Sequence, residues 1–208
     1  MKQFFQKKLL PAVTLSNAES AKRLADTYLK AGLDILEITF RTDATLAAIE
    51  AVAQTFPELH IGAGTILNPS QVQSAKDAGA RFGLSPGFNE KVVESAHQID
   101  FPFIPGVMTP SEIEQAWQAG CEILKLYPAE IAGGTEYIRS LEGPYLHAGL
   151  DLIPMGGVGP GNMRDYLDCA SVVAVGGSWL APKDKIREGD FAGISKVVEA
   201  SLKTANLS

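Results

Sequence analysis

Cysteine is nearly absent from this chain. Cys121 and Cys169 are the only two in 208 residues, far apart and in no CxxC pair. That excludes a disulfide framework and a cysteine-built zinc knuckle. Two ordinary buried thiols are expected, because free cysteine is commonly buried. Long apolar runs are missing too: none approaches the roughly 18 residues that a membrane-spanning helix needs. The opening MKQFFQKKLLPAV is basic, but its apolar run is short and no small-residue cleavage site follows, so it does not read as a signal peptide. A cytoplasmic location is expected. Nor is there an excess of positive charge. Against 24 Asp and Glu stand 18 Lys and Arg, a net charge of -6, and the basic residues are scattered. A nucleic-acid footprint is excluded on that ground. No linker or low-complexity stretch divides the chain, so residues 1–208 are expected to form a single domain.

What the chain has instead is repetition. AGLD at 31–34, AGAR at 78–81, AGCE at 119–122 and AGLD at 148–151 each close an amphipathic segment and open an apolar one. Ala-Gly suits a helix end, where glycine takes the left-handed conformation cheaply. Between these junctions the pattern predicts strands at 9–15, 34–40, 60–66, 82–87, 102–107, 122–128, 151–157 and 171–178. Helices lie between them, one opening at Ser16/Asn17, others at Asn68-Pro69 and Thr109-Pro110, where proline fits the first helical position. The last helix runs roughly over 191–205. A short helical segment precedes the first strand. About eight strands, each followed by a helix, imply an α/β fold with a parallel sheet. At this length a closed (β/α)8 barrel is the natural solution. An open doubly wound sheet is the alternative. Against it, no GxGxxG follows the first strand, and GGVGPG at 156–161 comes late and contains Pro160.

A barrel gives each residue an address: reactive groups lie at the C-terminal ends of strands and point inward. In DILEITFRT, the two-residue alternation of a strand puts Leu36, Ile38 and Phe40 on one face and Glu37, Thr39 and Arg41 on the other. The apolar face packs on helices, so the polar set projects into the barrel. Such an inner face is costly unless used; a structural ion pair of Glu37 is the competing reading. Lys125 interrupts the apolar run EILKLYP of the sixth strand. Lysine is among the residues least often buried. Either this is an edge strand whose lysine reaches water along its stem, or the side chain is a reactive amine held in a dry pocket. The barrel address turns Lys125 inward. A neutral amine attacks a carbonyl carbon to give a Schiff base, and Glu37 is the carboxylate placed for the accompanying proton transfers. Arg41 offers a two-pronged donor for a substrate carboxylate. MGG and VGGS end the seventh and eighth strands, where barrel enzymes often bind phosphate; paired glycines admit an anion to backbone N–H groups. The histidines, His60, His97 and His147, all map to the opposite face, so a histidine-bound metal is not expected.

The pieces LEITFRT, GAGT, SPG, IPGV.TPSE, KLYPAE..GG, GGV.P.N..DYL and VGGSWL fall in order over nearly the whole chain. In them the sequence resembles the bacterial 2-keto-3-deoxy-6-phosphogluconate (KDPG) aldolases, which overlap with the 4-hydroxy-2-oxoglutarate (KHG) aldolases. The resemblance implies a class I, metal-free, cofactor-free pyruvate aldolase on a (β/α)8 barrel, typically a homotrimer, acting on a small phosphorylated 2-keto acid. It assigns the Schiff-base lysine to Lys125 and the general acid/base to Glu37. The pyruvate carboxylate contacts fall to Arg41 and Thr65, with Pro86 close by and Tyr127 as the aromatic after the lysine. The phosphate elements are Gly156, Gly157, Gly176, Gly177 and Ser178. One position departs from the pattern. The family usually has threonine before the strand-seven glycines, tied to stereochemistry at the 4-hydroxyl; here it is Met155, which cannot pair as a hydroxyl does. That brings in the galactonate-derived epimer as an alternative substrate. More distant alternatives are another sugar-phosphate barrel enzyme and a phosphosugar-binding protein.

Overall fold

The computed structural model describes residues 1–206. Strands and helices alternate along it. The strands are β1 (Leu9–Val13), β2 (Ile35–Thr39), β3 (His60–Gly64), β4 (Phe82–Leu84), β5 (Phe103–Ile104), β6 (Gly106–Val107), β7 (Ile123–Leu126), β8 (Asp151–Pro154) and β9 (Val175–Gly177). The helices are α1 (Ala18–Lys30), α2 (Thr45–Thr55), α3 (Pro69–Asp77), α4 (Glu90–Gln98), α5 (Pro110–Gln118), α6 (Gly134–Tyr145), α7 (Met163–Leu167), α8 (Lys183–Glu188) and α9 (Phe191–Ala205).

All paired strands run parallel, in two arcs ordered β5-β4-β3-β2-β1-β9 and β6-β7-β8. Pro105 joins the arcs at one seam, and bridges from Leu152 to Val172 and from Met155 to Gly176 join them at the other. The chain is therefore a (β/α)8 barrel in which β5 and β6 are halves of one strand. The sequence pattern predicts a continuous strand over 102–107, and the structure divides it. Proline has no N–H to give the ladder, although its carbonyl still accepts from the Lys125 N–H at 2.9 Å. Strands predicted over 82–87 and 171–178 are likewise shorter than expected. The first stops at Leu84, just before the Ser85-Pro86 turn, and the second is a regular strand only over Val175–Gly177, with a single bridge at Val172 before it.

The helix signals are local and they hold. Asn17 accepts from the Ser20 N–H at 2.8 Å and Asn68 from that of Gln71 at 3.1 Å. Thr109 and Glu112 form a reciprocal capping box with Pro110 in the first turn, which satisfies two otherwise orphaned donors. The four Ala-Gly junctions share one cause. Gly32, Gly79, Gly120 and Gly149 have φ of 88°, 96°, 82° and 88°, the left-handed region where a side chain is costly.

The pleat sorts the strands as expected. Leu36, Ile38, Leu124 and Leu126 are completely buried in the apolar core, on the strand face opposite Glu37 and Lys125. The N-terminal segment, a 3-10 helix over Lys2–Phe5, lies against strand starts. Phe4 and Phe5 pack on the Phe82 ring at centroid distances of 5.6 and 6.0 Å, and Lys2 pairs with Asp151 at 2.6 Å. These contacts place it at the end of the barrel opposite the strand tips.

Candidate active site

Glu37 is the centre of the electrostatic problem. It lies mid-strand in β2, paired with Ala12 of β1 and Gly62 of β3. Its side chain is wholly buried, and neither carboxyl oxygen has a hydrogen-bond partner among the described residues. A buried polar group left unpaired costs about 1–3 kcal/mol, more if charged. Burial therefore pushes its pKa up from the ordinary carboxylate range, while the positive charges of Lys125 and Arg41 pull the other way. The carboxyl group rests on glycine: a Cβ at Gly64 would stand 1.7 Å from Glu37 Oε1. No other residue leaves it that room.

Lys125 faces it from β7. Only 6% of this lysine is exposed. Its Nζ stands 5.2 Å from the ring centroid of Tyr127, a cation–π distance. Tyr127 is two residues along on the same face and partly open to solvent. An edge strand is ruled out for Lys125, because β7 is paired on both sides. The competing ion-pair reading of Glu37 also fails, since the carboxylate contacts no cation within hydrogen-bonding distance.

A cleft of about 200 Å³ opens between these groups at the strand tips. Glu37, Thr39 and Arg41 line it from the β2 side, Lys125 and Tyr127 from β7. Met155, Gly156, Gly157, Gly177 and Ser178 form the remaining wall. Gly156 and Gly157 both have positive φ, 90° and 87°, so the turn after β8 depends on glycine twice. Met155 is buried, with its side chain packed where a Cβ on Gly176 would go, 2.8 Å from the methyl carbon.

Three residues expected at the site stand behind the lining instead. Thr65 Oγ1 accepts from Arg41 Nε at 3.3 Å, so it holds the guanidinium rather than the cleft floor. The Pro86 carbonyl group lies across Gly106, the residue in register with Lys125; a Cβ at Gly106 would come within 2.2 Å of it. Gly176 is covered by Met155. Conversely, Ala12 and Val158 line the cleft, and neither was singled out as a site residue, being small or apolar residues in apolar or turn segments. Thr39 was legible on the inner face of β2. Its hydroxyl donates to the Val13 carbonyl at 3.0 Å and pairs with the Thr14 hydroxyl at 2.8 Å.

A larger cleft, about 650 Å³, lies at the opposite end, lined among others by Lys2, Cys121, Glu122 and Asp151. Its Lys2 and Asp151 are already paired. His60 starts β3 and stacks near Phe4, with centroids 4.7 Å apart; His97 ends α4 and His147 precedes β8. None lines the small cleft.

The comparisons agree with this geometry. The model of the KDPG and KHG aldolase family matches residues 2–197. The 2-dehydro-3-deoxy-phosphogluconate aldolase of Haemophilus influenzae is 42% identical over 191 residues, 92% of this chain and 89% of that protein. The KHG/KDPG aldolase of Escherichia coli is 37% identical over 199 residues, 96% and 92% of the two chains. Among solved structures, a KDPG aldolase of Legionella pneumophila with pyruvate captured as a covalent carbinolamine superposes with a TM-score of 0.92. It has 31% identity, over 96% of this chain and 97% of that one. With a matching family model across almost its full length, the chain belongs to the KDPG and KHG aldolase family.

Proposed function

We propose that the protein is a class I aldolase that cleaves KDPG to pyruvate and glyceraldehyde 3-phosphate, and KHG to pyruvate and glyoxylate. The observation that carries this is a buried, unpartnered carboxyl group, Glu37, sharing one small cleft with a nearly buried amine, Lys125. The Legionella relative holds pyruvate as a carbinolamine, the first adduct that such an amine forms with a ketone.

Arg41, steadied by Thr65, takes the substrate carboxylate and presents C2 to Lys125. The amine adds to the carbonyl carbon. Glu37 delivers a proton to the departing oxygen, and loss of water leaves the protonated imine. Glu37, now a carboxylate, accepts the 4-hydroxyl proton, directly or through a water. The C3–C4 electron pair flows into the imine, which releases the aldehyde and leaves an enamine on Lys125. Protonation at C3 and hydrolysis of the imine free pyruvate and the amine. The imine is the electron sink, so the mechanism calls for neither metal nor cofactor. A proton-transfer group contributes ~10²–10⁴-fold to such steps, and its efficiency is greatest when its pKa approaches working pH; burial moves Glu37 in that direction.

At the far end, the N–H groups of Gly156–Gly157 and Gly177–Ser178 and the Ser178 hydroxyl take the phosphate. The names of the relatives support the gluconate-derived phosphate over its galactonate-derived epimer. Met155 brings no hydroxyl to the wall, so the 4-hydroxyl is oriented mainly by Glu37. We also assign the working form as a homotrimer in the cytoplasm. The test is turnover of KDPG, its galactonate-derived epimer and KHG by the same preparation. KDPG is expected to be cleaved with the highest kcat/KM. Cleavage of none of the three would refute the aldolase reading, and a preference for the epimer would transfer the specificity to Met155.

A further inference from the structure

A second carboxylate sits beside the cleft without entering it. Glu130 follows β7 in the YPAE turn. Its backbone N–H donates to the Gly156 carbonyl at 3.0 Å, and the Ala129 N–H donates to that of Met155 at 2.8 Å. Its methylenes cross the Cα of Gly157, where a Cβ would stand 2.4 Å from Glu130 Cγ. Its carboxylate accepts a hydrogen bond from the hydroxyl of Tyr166. Tyr166 is fully buried and lies in α7, the helix that follows the glycine turn. Glu130 is absent from the cleft lining, so the tyrosine holds its negative charge outside a site that takes a phosphate.

We infer that Glu130, pinned by Tyr166, is a positioning residue that ties the Gly156–Gly157 turn to the strand carrying Lys125 and so sets the distance from the amine to the phosphate-binding end. The inference rests on the aldolase reading above. Two effects follow from freeing the carboxylate. The turn loses its side-chain brace on the β7 side, keeping only the backbone bonds from Ala129 and Glu130, and an anion is released beside a bound phosphate, which repels it. The turn itself survives, because Asn162 holds it from the other side: its Oδ1 accepts from the Gly159 N–H at 2.8 Å and its Nδ2 donates to the Gly157 carbonyl at 3.1 Å. An error in spacing weakens the use of a substrate anchored at both ends more than of one anchored only at the pyruvate end.

The experiment compares kcat/KM for phosphorylated KDPG and for KHG, which has no phosphate, in the wild type, Glu130→Ala, Glu130→Gln and Tyr166→Phe. Expected is a fall of about tenfold, equivalent to ~1.4 kcal/mol, in the KDPG-to-KHG ratio for Glu130→Ala and Tyr166→Phe. Glu130→Gln still accepts from the tyrosine and carries no charge, so it is expected to keep the wild-type ratio. If both substrates decline in step, the residue is merely structural and the inference is overturned. It is equally overturned if Glu130→Gln behaves as Glu130→Ala. A wild type that cleaves KHG and gains nothing from the phosphate overturns it by removing the phosphate site. A wild type that cleaves neither refutes the aldolase reading itself. If Glu130→Ala fails to fold, Tyr166→Phe alone decides.

Discussion

The two ends of this barrel carry the same kinds of side chain and treat them oppositely. At the strand starts the cleft is three times roomier, about 650 against 200 Å³. Yet its lysine and one of its two carboxylates, Lys2 and Asp151, are joined at 2.6 Å, with Lys2 largely in water. At the strand tips, Glu37 is wholly buried and meets no donor, while Lys125 lies against Tyr127. The paired groups have spent their electrostatic potential on each other. The unpaired ones hold it in reserve for a substrate. Room alone does not make a reactive site; buried charge without a partner does, and it costs stability to keep.

That contrast can be broken from either end. The largest effect is expected at Lys125. Lys125→Ala removes the amine proposed to form the adduct, and cleavage is expected to fall by well over ~10³-fold, since deleting a nucleophile can cost ~10⁶-fold in kcat. A circular dichroism spectrum unchanged from the wild type would confirm that the barrel persists.

Glu37→Gln is expected to cost ~10²–10⁴-fold in kcat and to stabilise the fold. The sign follows from linkage. Burial raises the folded-state pKa of Glu37 above its ordinary 4.5. Between those two values the folded chain holds a proton that the unfolded chain has lost, so stability falls as pH rises through the raised value. Glutamine has no charge to desolvate. Thermal melts should therefore show Glu37→Gln above the wild type at alkaline pH, with the gain shrinking toward about pH 4, where both states of the wild type are protonated.

The smallest effect belongs to the other end. Lys2→Ala breaks a surface pair of the kind worth ~0–1 kcal/mol, so a slight drop in melting temperature and wild-type kcat/KM are expected. A large loss of activity there would contradict the division between the two ends.

Much of the barrel was legible because its signals are local. A glycine needed for positive φ at a helix end declares itself in four neighbouring residues, and a cap such as Thr109-Pro110 does so in four as well. The alternation of LEITF and EILKLY told inner from outer faces, and Glu37, Arg41, Lys125 and Tyr127 do line the cleft. What could not be read is tertiary. That Gly64 clears space for Glu37 depends on the register of two strands 25 residues apart in sequence, a separation like that of the Thr14–Thr39 hydroxyl pair. The retreat of Thr65 behind Arg41 and of Gly176 behind Met155 depends on side-chain packing. So does the link between Glu130 and Tyr166, 36 residues apart. The break at Pro105 was visible in principle, since proline inside a strand pattern argues against a continuous ladder.

The proposed chemistry turns on a covalent imine between Lys125 and pyruvate. Incubation with pyruvate and borohydride, followed by peptide mass spectrometry, tests it most directly. Expected is one reduced pyruvyl adduct, located on Lys125 and lost in Lys125→Ala. An unmodified protein, or an adduct on a different lysine that survives Lys125→Ala, would contradict it.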